Sequence, residues 1–125
     1  MVNQKIKVEH VRFDPQNFSH LSENELSIIH EKMELGQSLC FKFHGENDIC
    51  FYVVIDIDNK SVHVRRISGA FIFRWQAIYD LCFLICKKLE LKTISVIADK
   101  NFMKFAVKKL NFVKVNGDYY EKRVA

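Results

Sequence analysis

The alternation of apolar and polar residues predicts a strand, a glycine turn and a long helix in the middle of the chain. Val62 and Val64 alternate with polar neighbours, which is typical of a strand with one buried face. Ser68-Gly69 interrupts the alternation, and apolar residues then recur at spacings of four and three over 71–89, as on the buried side of a helix. A strand that turns sharply into a helix presents free backbone N–H groups at the positive end of the helix dipole. The sequence therefore predicts an anion-binding turn at this junction.

The same two periodicities predict the other elements. Ser22 and Glu25 form a capping box for a helix that ends at Gly36. Two-residue alternation predicts a meander in which a hairpin loop at Asn59-Lys60 pairs Ile57 with Val62. The predicted strands cover 5–13, 38–44, 49–57, 61–67, 93–98 and a last hairpin over 112–124, and a second short helix covers 101–110.

This order of elements predicts an α+β protein that forms one domain over residues 1–125. We expect a mixed, twisted sheet of six to seven strands with three helices, in which the strand before the long helix runs parallel to the strand after it. The chain is 49% apolar, which excludes general disorder. No apolar run approaches the roughly 20 residues of a membrane span, and the N-terminus lacks the apolar stretch of a signal peptide. We therefore expect a cytoplasmic protein without a membrane partner.

Composition also bears on the chemistry of a site. The four cysteines lack the spacing of a metal site or a disulfide framework, so we expect free thiols and no metal. The net charge is +4, with ten basic and four acidic residues from Lys87 onward, which favours an anionic ligand near the C-terminal third. No nucleic-acid motif accompanies these lysines, so nucleic acid is not the expected partner.

In the helix over 101–110, the inward residues are predicted to be Phe102, Phe105, Ala106 and Leu110.

Two segments carry a resemblance to a known family. Residues 66–71 (RISGAF) look like an Arg/Gln-x-x-Gly-x-Gly/Ala loop. Leu110-Asn111-Phe112 looks like the residues that end a last helix before a terminal hairpin. The whole chain resembles a minimal GCN5-related N-acetyltransferase (GNAT) domain, whose loop of this pattern holds the pyrophosphate of acetyl-CoA. Small GNAT-like proteins rich in lysine and phenylalanine are common in bacteriophage genomes, and some resemble virion-associated components.

The resemblance implies an acetyl-CoA site in a slot where the strand over 61–67 parts from the strand over 93–98. Open backbone groups there would hold the pantetheine arm, and nearby lysines would meet phosphate. The implied cofactor-binding residues are Val64, Arg65, Arg66, Ile67, Ser68, Gly69, Ala70, Phe71, Asn101, Lys104 and Lys108.

The chain also departs from the family pattern. Phe71 replaces the second small residue of the loop, and Val107 stands where the family carries a tyrosine that protonates the departing thiolate. His63, on the strand that often supplies a glutamate base, is the candidate base. Tyr120 is the candidate acid, with Tyr119 as its alternative.

Two functions follow from the resemblance. The first is an acetyl-CoA-dependent N-acetyltransferase whose partners are a CoA thioester and an unidentified amine, in the cytoplasm of a bacterial host. The second is a catalytically silent GNAT-like structural or interaction protein that binds other protein subunits, such as a virion-associated component of a bacteriophage. The missing tyrosine and the crowded loop leave the two evenly balanced.

Overall fold

A computed structural model describes residues 6–45, 50–69 and 75–124. The described residues form a seven-stranded mixed sheet with three α-helices, as predicted, and a short 3-10 helix at Pro15–Phe18 that was not predicted. The strands are β1 (Ile6–Val11), β2 (Ser38–Gly45), β3 (Cys50–Ile57), β4 (Ser61–Gly69), β5 (Thr93–Ile97), β6 (Val113–Asn116) and β7 (Tyr119–Arg123). The helices are α1 (Glu23–Glu34), α2 (Trp75–Leu89) and α3 (Asn101–Lys109).

The sheet has the order β1-β2-β3-β4-β5-β7-β6, and its one parallel pair is β4 with β5. Helix α2 joins these two strands, which confirms the predicted crossover. The meander also has the predicted register, with Ile57 opposite Val62 and Ile55 opposite Val64. The register follows from side-chain period, because a slip of one residue would move every buried side chain to the other face.

A β-bulge at Arg65 changes the course of β4. Val64 lies opposite Ile55 and Arg66 lies opposite Val54, so Arg65 is the extra residue. Pairing with β3 then resumes and continues to Gly69. The predicted strand over 61–67 was therefore two residues too short, because the bulge restores the ladder beyond the point where the simple alternation fails.

Two apolar cores lie on opposite faces of the sheet. The larger core packs α2 and α3 against one face, here termed the α2 face, and includes Val53, Val62, Ile78 and Ile94. The smaller core packs α1 and the 3-10 helix against the other face, here termed the α1 face. Its fully or nearly fully buried members are Phe18, Ile29, Cys40 and Val54.

Helix α3 buries a different side from the one predicted. Met103 and Val107 face the core and are 9% and 0% exposed, whereas Phe102 and Phe105 are 44% and 65% exposed. The prediction that both phenylalanines point inward was wrong. The prediction that Ala106 and Leu110 pack against the core was right. The Nζ atom of Lys109 lies 5.5 Å from the centroid of the Phe105 ring, so a cation covers part of that exposed ring.

The cap of α1 and the backbone after α3 agree with the predictions. Ser22 Oγ accepts a hydrogen bond from the backbone N–H of Glu25 at 3.2 Å, which caps α1. Asn111 has the left-handed φ of +67° expected after α3. The four cysteines are free thiols. Within the described ranges, no helix is long and apolar enough to cross a membrane.

Candidate functional site

Strands β4 and β5 separate partway along their length, and a cleft of about 300 Å³ opens between them. Their pairing ends at Val64 and Val96, after which β4 continues to Gly69 while β5 ends at Ile97. On that side, the backbone of β4 beyond Val64 has no ladder partner in β5 and remains available for hydrogen bonding. This cavity, the β4–β5 cleft, lies where the sequence places the slot. The residues that line it on β4 are Val64, Arg65, Arg66 and Ile67.

The cleft has an apolar wall, and its charged lining residues are three basic and one acidic: Arg65, Arg66, Lys100 and Asp99. Ile67, Trp75 and Val96 contribute apolar surface, and Lys100 at the start of α3 lies at its edge. Both arginines are anchored from the α1 face. Arg65 Nε donates to Asp56 Oδ2 at 2.5 Å, and Arg66 pairs with Glu25. Anchored guanidinium groups still carry several N–H donors, so they suit the recognition of an anion.

Other predicted cofactor residues do not line this cleft. Ser68 Oγ donates to the carbonyl of Asn17 at 2.5 Å on the α1 face. Gly69 has a φ of +109°, and a Cβ atom there would lie 2.7 Å from the carbonyl oxygen of Cys50. Glycine is therefore required at this position by the close approach of β3. Ala70 and Phe71 lie outside the described residues.

Three predicted residues lie on α3, and none of them lines the cleft. Lys104 Nζ is 2.9 Å from Asp118 Oδ1, and this hydrogen bond raises the pKa of the lysine. Asn101 and Lys108 are exposed at the two ends of the helix. The structure thus brings together Val64, Arg65, Arg66 and Ile67 and adds Lys100 to them.

A second cavity of about 800 Å³ lies on the α1 face, beside the paired part of β4 and β5. Nine of its ten lining residues carry a polar group, among them Lys32, Asp56, Asp58, Ser61, His63, Ser95 and Tyr119. This cavity is here termed the α1-face hollow. His63 Nδ1 is 2.8 Å from Ser95 Oγ, and the His63 ring stacks on Tyr119 with centroids 6.1 Å apart. His63 therefore has one partner on β5 and one on β7.

The environment of His63 favours its neutral form. Burial lowers the pKa of the imidazole below its usual 6.5, and the positive charges of Arg65 and Lys32 lower it further. Asp56 and Asp58 act in the opposite direction without reversing the shift. At neutral pH the ring is thus uncharged and able to accept a proton.

The two predicted catalytic residues lie on opposite faces of the sheet. Tyr120 lies opposite Val96, belongs to the core on the α2 face and is 1% exposed. His63 faces the α1-face hollow together with Tyr119. The structure therefore does not bring His63 and Tyr120 together, and it is Tyr119 that lies beside the histidine. Val107, which the resemblance places at the position of the GNAT tyrosine, is fully buried.

The sequence reasoning did not single out Ser95, Asp58 or Lys100. Ser95 is 2% exposed and is the one polar residue between Ile94 and Ala98. A lone hydroxyl in an otherwise apolar strand is a usable signal, because a buried polar group requires a hydrogen-bond partner. Asp58 and Lys100 have no such signal, since an exposed charge near a turn is common in any chain.

No protein-family model matches this sequence, and no curated protein matches it. Similar solved structures are acetyltransferases. The ribosomal-protein-S18-alanine N-acetyltransferase from Escherichia coli aligns over 94% of this chain and 90% of its own, with 10% identity and a TM-score of 0.67. An acetyltransferase from Bacillus subtilis in complex with CoA aligns over 95% and 96%, with 15% identity and a TM-score of 0.62. A GNAT family acetyltransferase from Elizabethkingia anophelis with acetyl-CoA bound aligns over 89% and 78%, with 16% identity and a TM-score of 0.62. The chain has the GNAT fold.

Proposed function

We propose that the protein is an acetyl-CoA-dependent N-acetyltransferase that acts on an amine. The observation that carries the proposal is the separation of β4 from β5 beyond Val64 and Val96, beside the anchored cations Arg65 and Arg66. Two proteins of the same fold hold CoA or acetyl-CoA in their solved structures, which supports a CoA thioester as the ligand.

The β4–β5 cleft suits a CoA thioester in both shape and charge. Free backbone groups of β4 beyond Val64 would form hydrogen bonds with the amides of the pantetheine arm, as an added strand does at a sheet edge. Arg66 and Lys100, at the rim, would contact phosphate oxygens. The apolar wall formed by Ile67 and Val96 would exclude water from the arm.

Acetyl-CoA supplies an acyl group activated as a thioester. His63, uncharged at neutral pH, accepts a proton from the acceptor amine, whose nitrogen forms a bond to the carbonyl carbon as the carbon–sulfur bond breaks. The CoA sulfur leaves as a thiolate and takes a proton from water, because Val107 has none to give. The loss of such a general acid typically slows a reaction by about 10²–10⁴-fold, so we expect a slow enzyme.

The binding step can be tested by thermal unfolding with acetyl-CoA. A ligand that binds only the folded state raises the midpoint, by about 4 °C or more at a hundredfold excess over its Kd. Ile97 lines the cleft and is 47% exposed, so Ile97→Trp adds a large ring to the wall of the cleft. This substitution should abolish the rise in the unfolding midpoint. Leu84→Trp is the matched control, because Leu84 is 52% exposed on α2 and does not line the cleft. No shift in the unmodified protein would overturn the proposal.

The chemical step has its own test. His63→Gln should lower acetyl transfer to amines by about 10²–10⁴-fold while leaving the acetyl-CoA midpoint shift unchanged. Release of the CoA thiol, followed with a thiol reagent, measures the transfer. Binding of acetyl-CoA without transfer to any amine would instead support the silent interaction protein, which the buried Val107 at the tyrosine position favours.

A further inference from the structure

The α1-face hollow contains a carboxylate that is held by neutral donors. Asp58 Oδ1 accepts hydrogen bonds from the backbone N–H groups of Lys60 at 2.7 Å and Ser61 at 2.8 Å. Asp58 Oδ2 accepts a hydrogen bond from the Ser61 hydroxyl at 3.0 Å. The backbone hydrogen bond from Lys60 is the main cause that lowers the pKa of Asp58. The carboxylate is therefore fixed in position and carries its full charge at neutral pH.

Asp56, the other carboxylate of the hollow, differs from Asp58 because it forms ion pairs. Asp56 is paired with Arg65 at 2.5 Å and lies 3.9 Å from Lys32 Nζ, so two cations offset its charge. Asp58 takes part in no ion pair within 4 Å among the residues that the structure describes. Lys60 acts on the Asp58 charge only from beyond ion-pair distance, so the hollow offers one carboxylate without a direct ion pair, which favours a cation.

The separation between the Asp58 carboxylate and His63 indicates how long a molecule that contacts both residues must be. Asp58 is hydrogen-bonded to Ser61, and Ser61 and His63 are two residues apart on the same face of β4. Two residues of strand span about 7 Å. A molecule that places one nitrogen at His63 and a second, charged nitrogen at Asp58 therefore needs about that separation between its two nitrogens.

We propose that the α1-face hollow is the acceptor site and that it takes a small aliphatic diamine. One amine, in its neutral form, faces His63; its nitrogen forms a bond to the acetyl carbonyl carbon as the carbon–sulfur bond breaks, its proton passes to the imidazole, and the CoA thiolate takes a proton from water. The other amine remains an ammonium against Asp58. The polar lining from Gln37 and Asn59 suits a hydrated, cationic chain better than an apolar one. The transfer step rests on the proposed acetyltransferase function, whereas the binding of the diamine does not.

Binding can be measured without acetyl-CoA. We would follow the backbone amide signals of the uniformly ¹⁵N-labelled protein by NMR during titration with 1,4-diaminobutane and with butylamine. The diamine should shift the signals of Ser61, His63 and Ser95 and bind at least tenfold more tightly than the monoamine, which has no second charge. Equal binding of the two amines, or shifts confined to other parts of the molecule, would overturn the site.

A charge-removing variant sharpens the test. Asp58→Asn keeps a carbonyl acceptor for the turn and removes the charge, so it should erase the preference for the diamine. Asp80→Asn is the matched control, because Asp80 is exposed on α2, outside the hollow, and should leave the preference intact. If Asp58→Asn unfolds the hairpin, the comparison of the two amines on the unmodified protein still decides the question.

Transfer assays separate the two proposals. With acetyl-CoA present, 1,4-diaminobutane and 1,5-diaminopentane should be better acceptors than 1,2-diaminoethane, whose nitrogens are too close together. Diamine binding without any acetyl-CoA binding would support the diamine site in the α1-face hollow and would contradict the acetyltransferase function. Acetyl transfer that proceeds equally well with monoamines and diamines would support the function and overturn the site.

Discussion

The proton on His63 is controlled by its neighbours on three elements. Burial between β4 and β5 lowers its pKa, and Arg65 on β4 and Lys32 on α1 lower it further. Asp56 at the end of β3 and Asp58 after it raise it. Together these effects give His63 a lower pKa in the folded protein than in the unfolded chain. The imidazole therefore takes up a proton less readily in the folded state.

This balance predicts how stability depends on pH. The stabilisation from the neutral ring is fully present above the unfolded pKa of about 6.5 and is lost as the pH falls through the folded value. The free energy of unfolding in urea should therefore decrease more between about pH 7.5 and pH 5.5 in the unmodified protein than in His63→Gln. His30→Gln is the control, because His30 is exposed on α1 and should not reduce the loss.

NMR titration of the His63 ring gives a direct measurement. The pKa should lie below 6.5, and Asp56→Asn should lower it further by removing the main negative charge that opposes the shift. A measured pKa at or above 6.5, or a rise in Asp56→Asn, would contradict the assignment of His63 as a neutral base.

At the scale of elements, side-chain period predicts most of the sheet. Alternating residues such as Ile55 and Val64 identify both the strands and their register, because only one register buries all of them. The bulge at Arg65 has no comparable local signal, since it depends on how β4 meets β3. The prediction therefore missed the continuation of β4 to Gly69 and the orientation of Arg65 and Arg66, both of which the bulge turns toward the α1 face.

The candidate site was predictable only in part for the same reason. The slot between the parallel strands was expected from the resemblance alone, and so was its lining by Val64, Arg65, Arg66 and Ile67. The choice between Tyr119 and Tyr120 does not follow from the resemblance, because adjacent strand residues face opposite sides and the register of β7 with β5 decides which side each takes. That register places Tyr120 opposite Val96 in the core.

The orientation of α3 is testable by a pair of substitutions. Val107→Ala removes buried volume and should reduce the free energy of unfolding by about 2 kcal/mol. Phe105→Ala removes a larger side chain that is 65% exposed and should cost less than about 1 kcal/mol, mainly through its contact with Lys109. Urea unfolding of the two variants measures both values, and the reverse order would contradict the orientation described for α3.

At the scale of the whole molecule, one sheet supports both apolar cores. Val53 and Val54 are consecutive residues of β3, both fully buried, and they belong to opposite cores. Loss of either core would expose one face of the same strand, so the two halves should not unfold independently. The prediction of a single domain over 1–125 therefore implies that the two cores unfold together in one cooperative transition.

Phe18→Ala tests this cooperativity from the smaller core. Phe18 is fully buried on the α1 face, so its truncation should cost about 3–5 kcal/mol. Trp75, the one tryptophan, is buried on the α2 face and reports on the larger core. In a single cooperative unit, Phe18→Ala lowers the urea midpoint of Trp75 fluorescence as much as that of the far-ultraviolet circular dichroism. A Trp75 transition that keeps its midpoint while the dichroism signal splits into two steps would show instead that the face carrying α1 unfolds on its own.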